Sequence, residues 1–297
     1  MNRMISNTAQ VIKALRYTLT EGKGKGLDVI DCTVGKTRAL LNVTKCLDVM
    51  QAYHCGENLS FISKNGFSAG NAPFMNRFEG GMVYTCGLDS IGGREGFEVH
   101  GSVHNQTAFV TGIKKSEGTI SVEAEIRDTE LFGRNLLLLR KVEVSEGEIS
   151  IEDKIVNKGV KDADFCLLYH INLGYPLLCE GGEIVANVKE IKPRNAYAET
   201  KISECFKTTA ATDEEECCYF LKLNEKKVSY RSENGKSFNL SFEGEGFDNF
   251  VLWKSMVAGD YALGLEPATT ELDDNFKYQQ IKSGETRKFN VKIEIKG

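Results

Sequence analysis

Hydrophobic and polar positions alternate with a period of two along most of the chain. Ile120, Val122, Ala124 and Ile126 interleave with Ser121, Glu123, Glu125 and Arg127. Ile149, Ile151 and Ile155 keep one phase, which Asp153 breaks. Near the end, Phe289, Val291, Ile293 and Ile295 alternate with Asn290, Lys292 and Glu294. Such runs predict strands with one buried face and one wet face. The stretches 228–232 and 237–242 predict a hairpin, with Asn234-Gly235 supplying the positive φ angles of its turn. Val11, Leu15 and Leu19 fit a helix or a strand. The following Glu21-Gly-Lys-Gly-Lys-Gly turn and the β character elsewhere favour a strand. No long segment sustains helical periodicity, and the 29 glycines fall mostly between strand candidates. The expectation is an all-β chain: a large antiparallel β-sandwich forming one domain over residues 1–297. Residues 201–218, with the acidic run 213–216, are the least strand-like part and are expected to be an exposed excursion.

Composition narrows the function classes. Apolar residues make up 41% of 297, enough for a sizeable core. A net charge of −5 without a dense Lys/Arg block argues against nucleic acid as a partner. The longest apolar stretches, such as 136–139, fall far short of a membrane span, and the first ten residues lack the apolar core of a secretory signal. Nine cysteines, an odd count without metal-type CxxC spacing, read as free thiols of a cytoplasmic protein; Cys86 and Cys166 read as core residues. No phosphate-cradling loop, dinucleotide fingerprint or nucleophile elbow occurs, and no cofactor is implied.

Candidate chemistry rests on four histidines and a few polar residues in stretches that break the simple strand pattern. His170 lies in Leu168-Tyr-His-Ile-Asn-Leu-Gly-Tyr-Pro176. An imidazole in such apolar surroundings is either a satisfied core residue or a general acid. Asn172 would share its strand face. Glu266, between apolar residues and Pro267, is either a surface carboxylate or, if buried, a base of raised pKa. His100 and His104 have HxxxH spacing, but glycine at 101 argues against a helix and no third metal ligand is evident. Hydrogen bonding to hydroxyls suits them better. Trp253, the only tryptophan, packs in the core or stacks on a sugar face. Arg77 offers a fork of donors, and Asp89 either forms a turn or joins a site.

Taken together, these stretches resemble the galactose mutarotase-like superfamily, and within it a poorly characterised aldose 1-epimerase-like branch. The likeness is carried by Cys46-Leu-Asp-Val, Gly56-Glu-Asn-Leu-Ser-Phe, Gly80-Gly-Met-Val-Tyr-Thr-Cys-Gly-Leu-Asp, His100-Gly, Tyr169-His-Ile-Asn-Leu-Gly-Tyr-Pro, Trp253-Lys and Gly264-Leu-Glu-Pro-Ala-Thr, in family order across residues 46–270. The resemblance implies a supersandwich with a sugar cleft on a concave face. It makes His170 the acid that protonates the ring oxygen and Glu266 the base that takes the anomeric proton. It makes Arg77 and His100 holders of ring hydroxyls, and Asn172, Trp253, Lys254 and Asp89 cleft residues. His104 stands where the family pattern has a different local sequence and would be a specificity residue. The sugar-binding aspartate that mutarotases carry between histidine and glutamate has no match here. The expected ligand is a small carbohydrate, an aldose or derivative, with no metal, nucleic acid or membrane. Rival readings are another sugar isomerase or a lyase on this scaffold, a non-catalytic carbohydrate-binding protein, and a metal-dependent hydrolase using His100 and His104. The catalytic reading requires residues 170 and 266 to flank a pocket about as wide as a pyranose.

Overall fold

The computed structural model describes residues 3–297. The strands form two antiparallel sheets. The smaller has five strands in chain order, from Ile12–Thr18 to Glu57–Asn58. The larger has thirteen. Its path runs from Gln279–Ile281 through Ala163–Leu173, Ala262–Ala268, Asn249–Ser255 and Cys217–Arg231. It continues through Ser237–Gly244, Thr286–Lys296, Glu148–Asn157, Asn135–Ser145 and Thr119–Thr129 to Phe109–Ser116. Val83–Leu88 adds to the strand Ala163–Leu173, and Glu183–Pro193 to Cys217–Arg231.

The alternating runs became strands of the expected phase. Ile120, Val122 and Ile126, Ile149, Ile151 and Ile155, and Phe289, Val291 and Ile293 are all essentially inaccessible. They join one core with Ile30, Ala39, Leu41 and Val49 of the small sheet. The phase-breaking Asp153 is buried too, because the fully buried Arg140 binds it through two nitrogens, at 2.9 and 2.6 Å. The amino-terminal ambiguity resolves as the strand Ile12–Thr18, preceded by a 3-10 turn at Thr8–Gln10. Cys86 and Cys166 are core residues, and all nine cysteines are free thiols.

One expectation needs correction. The hairpin forms between Cys217–Arg231 and Ser237–Gly244, but only Gly235 has positive φ, at 85°. Its turn is closed by Gly235 N–H to Ser232 O at 3.0 Å and Ser232 N–H to Lys236 O at 2.8 Å. Asn234 instead uses its side chain, accepting from the Lys236 N–H. The stretch 201–218 keeps its acidic run 213–216 exposed, as expected. It holds a 3-10 turn at Ile202–Glu204, buries Cys205 and Thr208, and then enters the strand Cys217–Arg231.

The middle of the large sheet is buried on both faces, so its strands read as nearly continuous apolar runs rather than alternating ones. One face of Ala163–Leu173 and its neighbours sends Leu167, Tyr169, Leu252 and Leu265 into the main core. The other sends Cys86, Leu168, Cys218, Val251 and Ala268 into a separate apolar cluster. That second face carries a cavity. Among the described residues, no helix is long and apolar enough to cross a membrane.

Candidate functional site

The pairing register builds the cavity floor. Leu168 pairs with Ala268 and Ile171 with Leu265, which sets position 170 opposite 266. On one side Tyr84 pairs with His170; on the other Val251 pairs with Glu266. One step along, Trp253 lies between Gly264 and Cys218. Chain-distant residues thereby project from one face of five adjacent strands. Gly264 is what lets the side chains of 170 and 266 meet. A β-carbon there would stand 2.3 Å from Glu266 Oε1 and 3.2 Å from His170 Cε1.

The cavity encloses about 500 Å³, with His170, Glu266, His100 and Trp253 on its wall. His170 Nε2 and Glu266 Oε1 lie 3.2 Å apart. The contact is close but not aligned as a hydrogen bond: Glu266 Oε1 and His170 Nδ1 are both buried without a partner. Burying a polar atom unpaired costs about 1–3 kcal/mol, so native folds keep few such atoms. Burial holds the His170 imidazole well below its ordinary pKa, and neighbouring His100 adds to this against an opposing pull from Asn172. Burial likewise drives the Glu266 carboxyl well above the usual range, reinforced by Glu216 and opposed by Arg194. Both shifts favour the uncharged forms, a carboxylic acid beside a neutral imidazole, a pair that holds one transferable proton.

His100 closes another side, its ring centroid 5.5 Å from that of His170. Burial, with help from Arg194, lowers its pKa to about 4. Its backbone is left-handed, φ 64°, an unfavourable conformation for a residue with a β-carbon. Backbone bonds from His100 N to Gly92 O and from Gly87 N to His100 O hold it there. The half-buried Trp253 ring stands edge-on to His170 at 5.3 Å, and its Nε1 donates to Glu216 at 2.7 Å.

The other sequence candidates lie behind the wall. Asn172 donates to Gly81 O and His170 O, fixing the backbone that carries the imidazole. Asp89 accepts from the Ser90 and Ser102 amides and so pins the loop bearing His100. Arg77 is buried and donates to Asn105, at 3.0 Å, and to Glu98. His104 stacks on Tyr84 at 3.6 Å and bonds to Asp48 at 2.7 Å, with its other nitrogen 3.7 Å from Glu79. Lys254 follows Trp253 and faces the opposite way, donating to Glu204 O and Lys207 O. Among the described residues, no cluster of three metal-ligating side chains occurs.

Sequence reasoning missed Glu216 and Arg194, both on the cavity wall. Glu216 ends the acidic run read as an exposed excursion. Only the Cys218–Trp253 pairing shows that it reaches the site. Arg194 follows the strand Glu183–Pro193, and its backbone N–H bonds to Cys218 O.

Residues 24–295 match the family described as domain of unknown function DUF4432. No curated protein matches the sequence. Among solved structures, a Klebsiella pneumoniae protein provisionally named an aldose 1-epimerase superposes with TM-score 0.85 at 17% identity, covering 96% of this chain and 88% of that one. A galactose mutarotase-like protein from Clostridium acetobutylicum gives 0.75 at 13% identity, covering 97% and 99%. A galactose mutarotase-like protein from Lactobacillus casei gives 0.65 at 13%, covering 90% and 100%. At these identities the likeness establishes the fold, a galactose mutarotase-like β-sandwich.

Proposed function

Taking as given that this chain belongs to the DUF4432 family, we propose that it exchanges the anomers of an aldose by acid–base ring opening and closure at His170 and Glu266. The observation that carries the reading is the buried, mutually adjacent and unpartnered imidazole and carboxyl. They stand side by side, 3.2 Å apart, instead of flanking a pyranose-wide gap as the sequence reading required, and the reaction suits that arrangement too. The anomeric hydroxyl oxygen and the ring oxygen are bonded to the same carbon, so the proton donor and acceptor must also be neighbours.

The proton count closes. In opening, the anomeric hydroxyl loses its proton, its C–O bond becomes a carbonyl, the bond from C1 to the ring oxygen breaks, and the ring oxygen gains a proton. The pair gives one proton and takes one. The directions of the two pKa shifts favour the transferable proton on Glu266. Shifting it across 3.2 Å to His170 yields the imidazolium acid and carboxylate base that the family resemblance assigns. After rotation about the C1–C2 bond, the reverse steps close the other anomer. Glu216 and His100, on the same wall, are placed to hold ring hydroxyls, and Trp253 to pack on the apolar face of the ring.

The test is anomer exchange followed by NMR across a panel of aldoses. His170→Ala and Glu266→Gln should each lower the rate by about 10²–10⁴-fold, the usual range for one positioned proton transfer, with the fold kept by circular dichroism. Full activity in either variant removes the proposal.

A further inference from the structure

Aromatic surface by itself suits any pyranose, but apolar side chains also make up much of this cavity's wall. Several of the polar side chains on its wall are already engaged within the protein. Ser63 Oγ donates to Phe78 O at 2.5 Å, and Asn65 Nδ2 donates to Met75 O and Phe78 O at 3.1 and 3.0 Å. These three bonds tie the short helix Phe74–Arg77 and the following Phe78 to the loop 63–65, with Phe74 and Phe78 on the cavity wall. Arg194 is bound through Nε and Nη2 to Asp273, each at 2.8 Å. Lys64 is paired with Asp260 at 2.7 Å. The two atoms known to be buried and unpartnered on this wall, His170 Nδ1 and Glu266 Oε1, lie at one spot, the proposed reacting centre.

Away from that spot the wall also carries the apolar side chains of Phe61, Phe74, Met75, Phe78, Val257 and Leu272. Met75 lines the cavity while 81% exposed, so it stands at the rim. A cavity of about 500 Å³ also falls in the range of about 300–1,000 Å³ that suits ligands larger than one bare sugar ring. A fully hydroxylated hexose would leave several hydroxyls against carbon, each losing its water without replacement.

Resting on the reading of this cavity as an aldose site, we infer that its substrate is a reducing sugar carrying an apolar substituent, such as an O-acyl group, on a carbon remote from the anomeric centre. The sugar's anomeric end meets His170 and Glu266. The substituent covers the Met75–Val257 side of the cavity, where an unmodified sugar would place hydroxyls without partners.

Trp253 is the only tryptophan and lines the cavity, so its fluorescence reports binding without requiring turnover. D-glucose, D-galactose and their 6-O-butanoyl esters are titrated against the full chain, alongside anomer exchange by NMR. The esters should bind at least about 10-fold more tightly than the parent sugars, since each methylene in a matched apolar pocket is worth about 10-fold or more. Met75→Ser, at an exposed rim position that does not threaten folding, and Val257→Ser should each shrink that preference. Parent sugars binding as well as their esters would overturn the inference, as would an ester preference unchanged in both variants. Methyl butanoate binding as tightly as the esters would overturn it too, by showing an apolar site with no sugar component. Ester preference without exchange of any sugar removes the catalytic reading and leaves this inference standing. Exchange with equal binding does the reverse.

Discussion

Glu266 is a carboxyl that the fold holds at a cost in stability. It is 2% exposed, no hydrogen-bond donor reaches its Oε1, and burial together with Glu216 raises its pKa well above 4.5. A raised folded-state pKa means that the folded state binds more protons than the unfolded one above pH 4.5. Stability from this group is complete below that pH and is lost as pH rises through the folded value. Glu266→Gln keeps the shape and removes the titration. The variant should lose exchange activity yet gain thermal stability over wild type, by a margin that widens from about pH 5 to pH 8 in matched melts. An equal or lower midpoint at pH 8 would contradict the burial argument. The histidines act at the other end. His100, lowered to about 4, and His170, lowered further below its ordinary value, take up protons in the unfolded chain before the folded one does. Wild type should therefore lose stability as pH falls below about 6.5, and His100→Gln should flatten part of that slope down to about pH 4. His170 and Glu266 were legible in the sequence because each is a titratable group set in an apolar run. Glu216 was not, because a carboxylate that ends an acidic run carries no local sign that pairing will place it beside Trp253.

Strand register is what turns those residues into a site. A one-residue slip between Ala163–Leu173 and Ala262–Ala268 would turn Glu266 toward the main core, because side chains alternate faces with a period of two. Gly264 carries the tightest constraint, and it is steric rather than conformational. Its φ is ordinary, but a β-carbon would collide with Glu266 Oε1 and press on His170 Cε1 and Trp253 Cβ, the last at 3.1 Å. Gly264→Ala should therefore fold and yet lose about 10²-fold in kcat, since a displacement near 1 Å at a reacting group can cost that much. The drop should fall on kcat more than on KM, because the closest clash, at 2.3 Å, is with the reacting carboxyl. A near-wild-type kcat would show that the pair tolerates displacement. The sequence announced these strands well where one face is wet and the period of two is clean, as at 120–127 and 289–295. In the central strands both faces are buried, alternation disappears, and the neighbour order cannot be read from the pattern. Asn234-Gly235 marked the hairpin correctly but not its turn, where a side-chain bond replaced the second positive φ.

At the scale of the whole molecule, one buried cation ties the two sheets together behind the cavity. Arg140 rises from the large sheet and is 2% exposed. It binds Asp153 on the neighbouring strand Glu148–Asn157, and it reaches Asp48 and the Cys46 carbonyl of the small-sheet side at 2.5 and 2.9 Å. Thr85, next to Tyr84, the strand partner of His170, accepts from Arg140 at 2.9 Å and donates to Asp48. His104 completes the group. Burial works against its charge, but the Asp48 hydrogen bond and the nearby Glu79 outweigh it and raise its pKa. With His104 protonated, the two cations Arg140 and His104 match the carboxylates of Asp48 and Asp153. Neither the resemblance nor the pattern pointed to this network. Asp153 was visible only as a break in phase, and its partner is an arginine on the otherwise apolar buried face of its strand. Removing the central charge leaves two carboxylates facing each other in the core. Arg140→Met should cost about 3–5 kcal/mol, the usual penalty for stranding buried charge. Because desolvated carboxylates account for that loss, Arg140→Met combined with Asp48→Asn and Asp153→Asn should recover much of it, as denaturant unfolding would measure. His104 gives the pH signature. A raised folded-state pKa places its contribution in full below about 6.5, with loss as pH climbs through the folded value. The loss on the alkaline side should be shallower in His104→Gln than in wild type. A triple variant no more stable than Arg140→Met alone would mean that Arg140 holds the sheets by its shape and hydrogen bonds to Cys46 and Thr85, not by balancing charge.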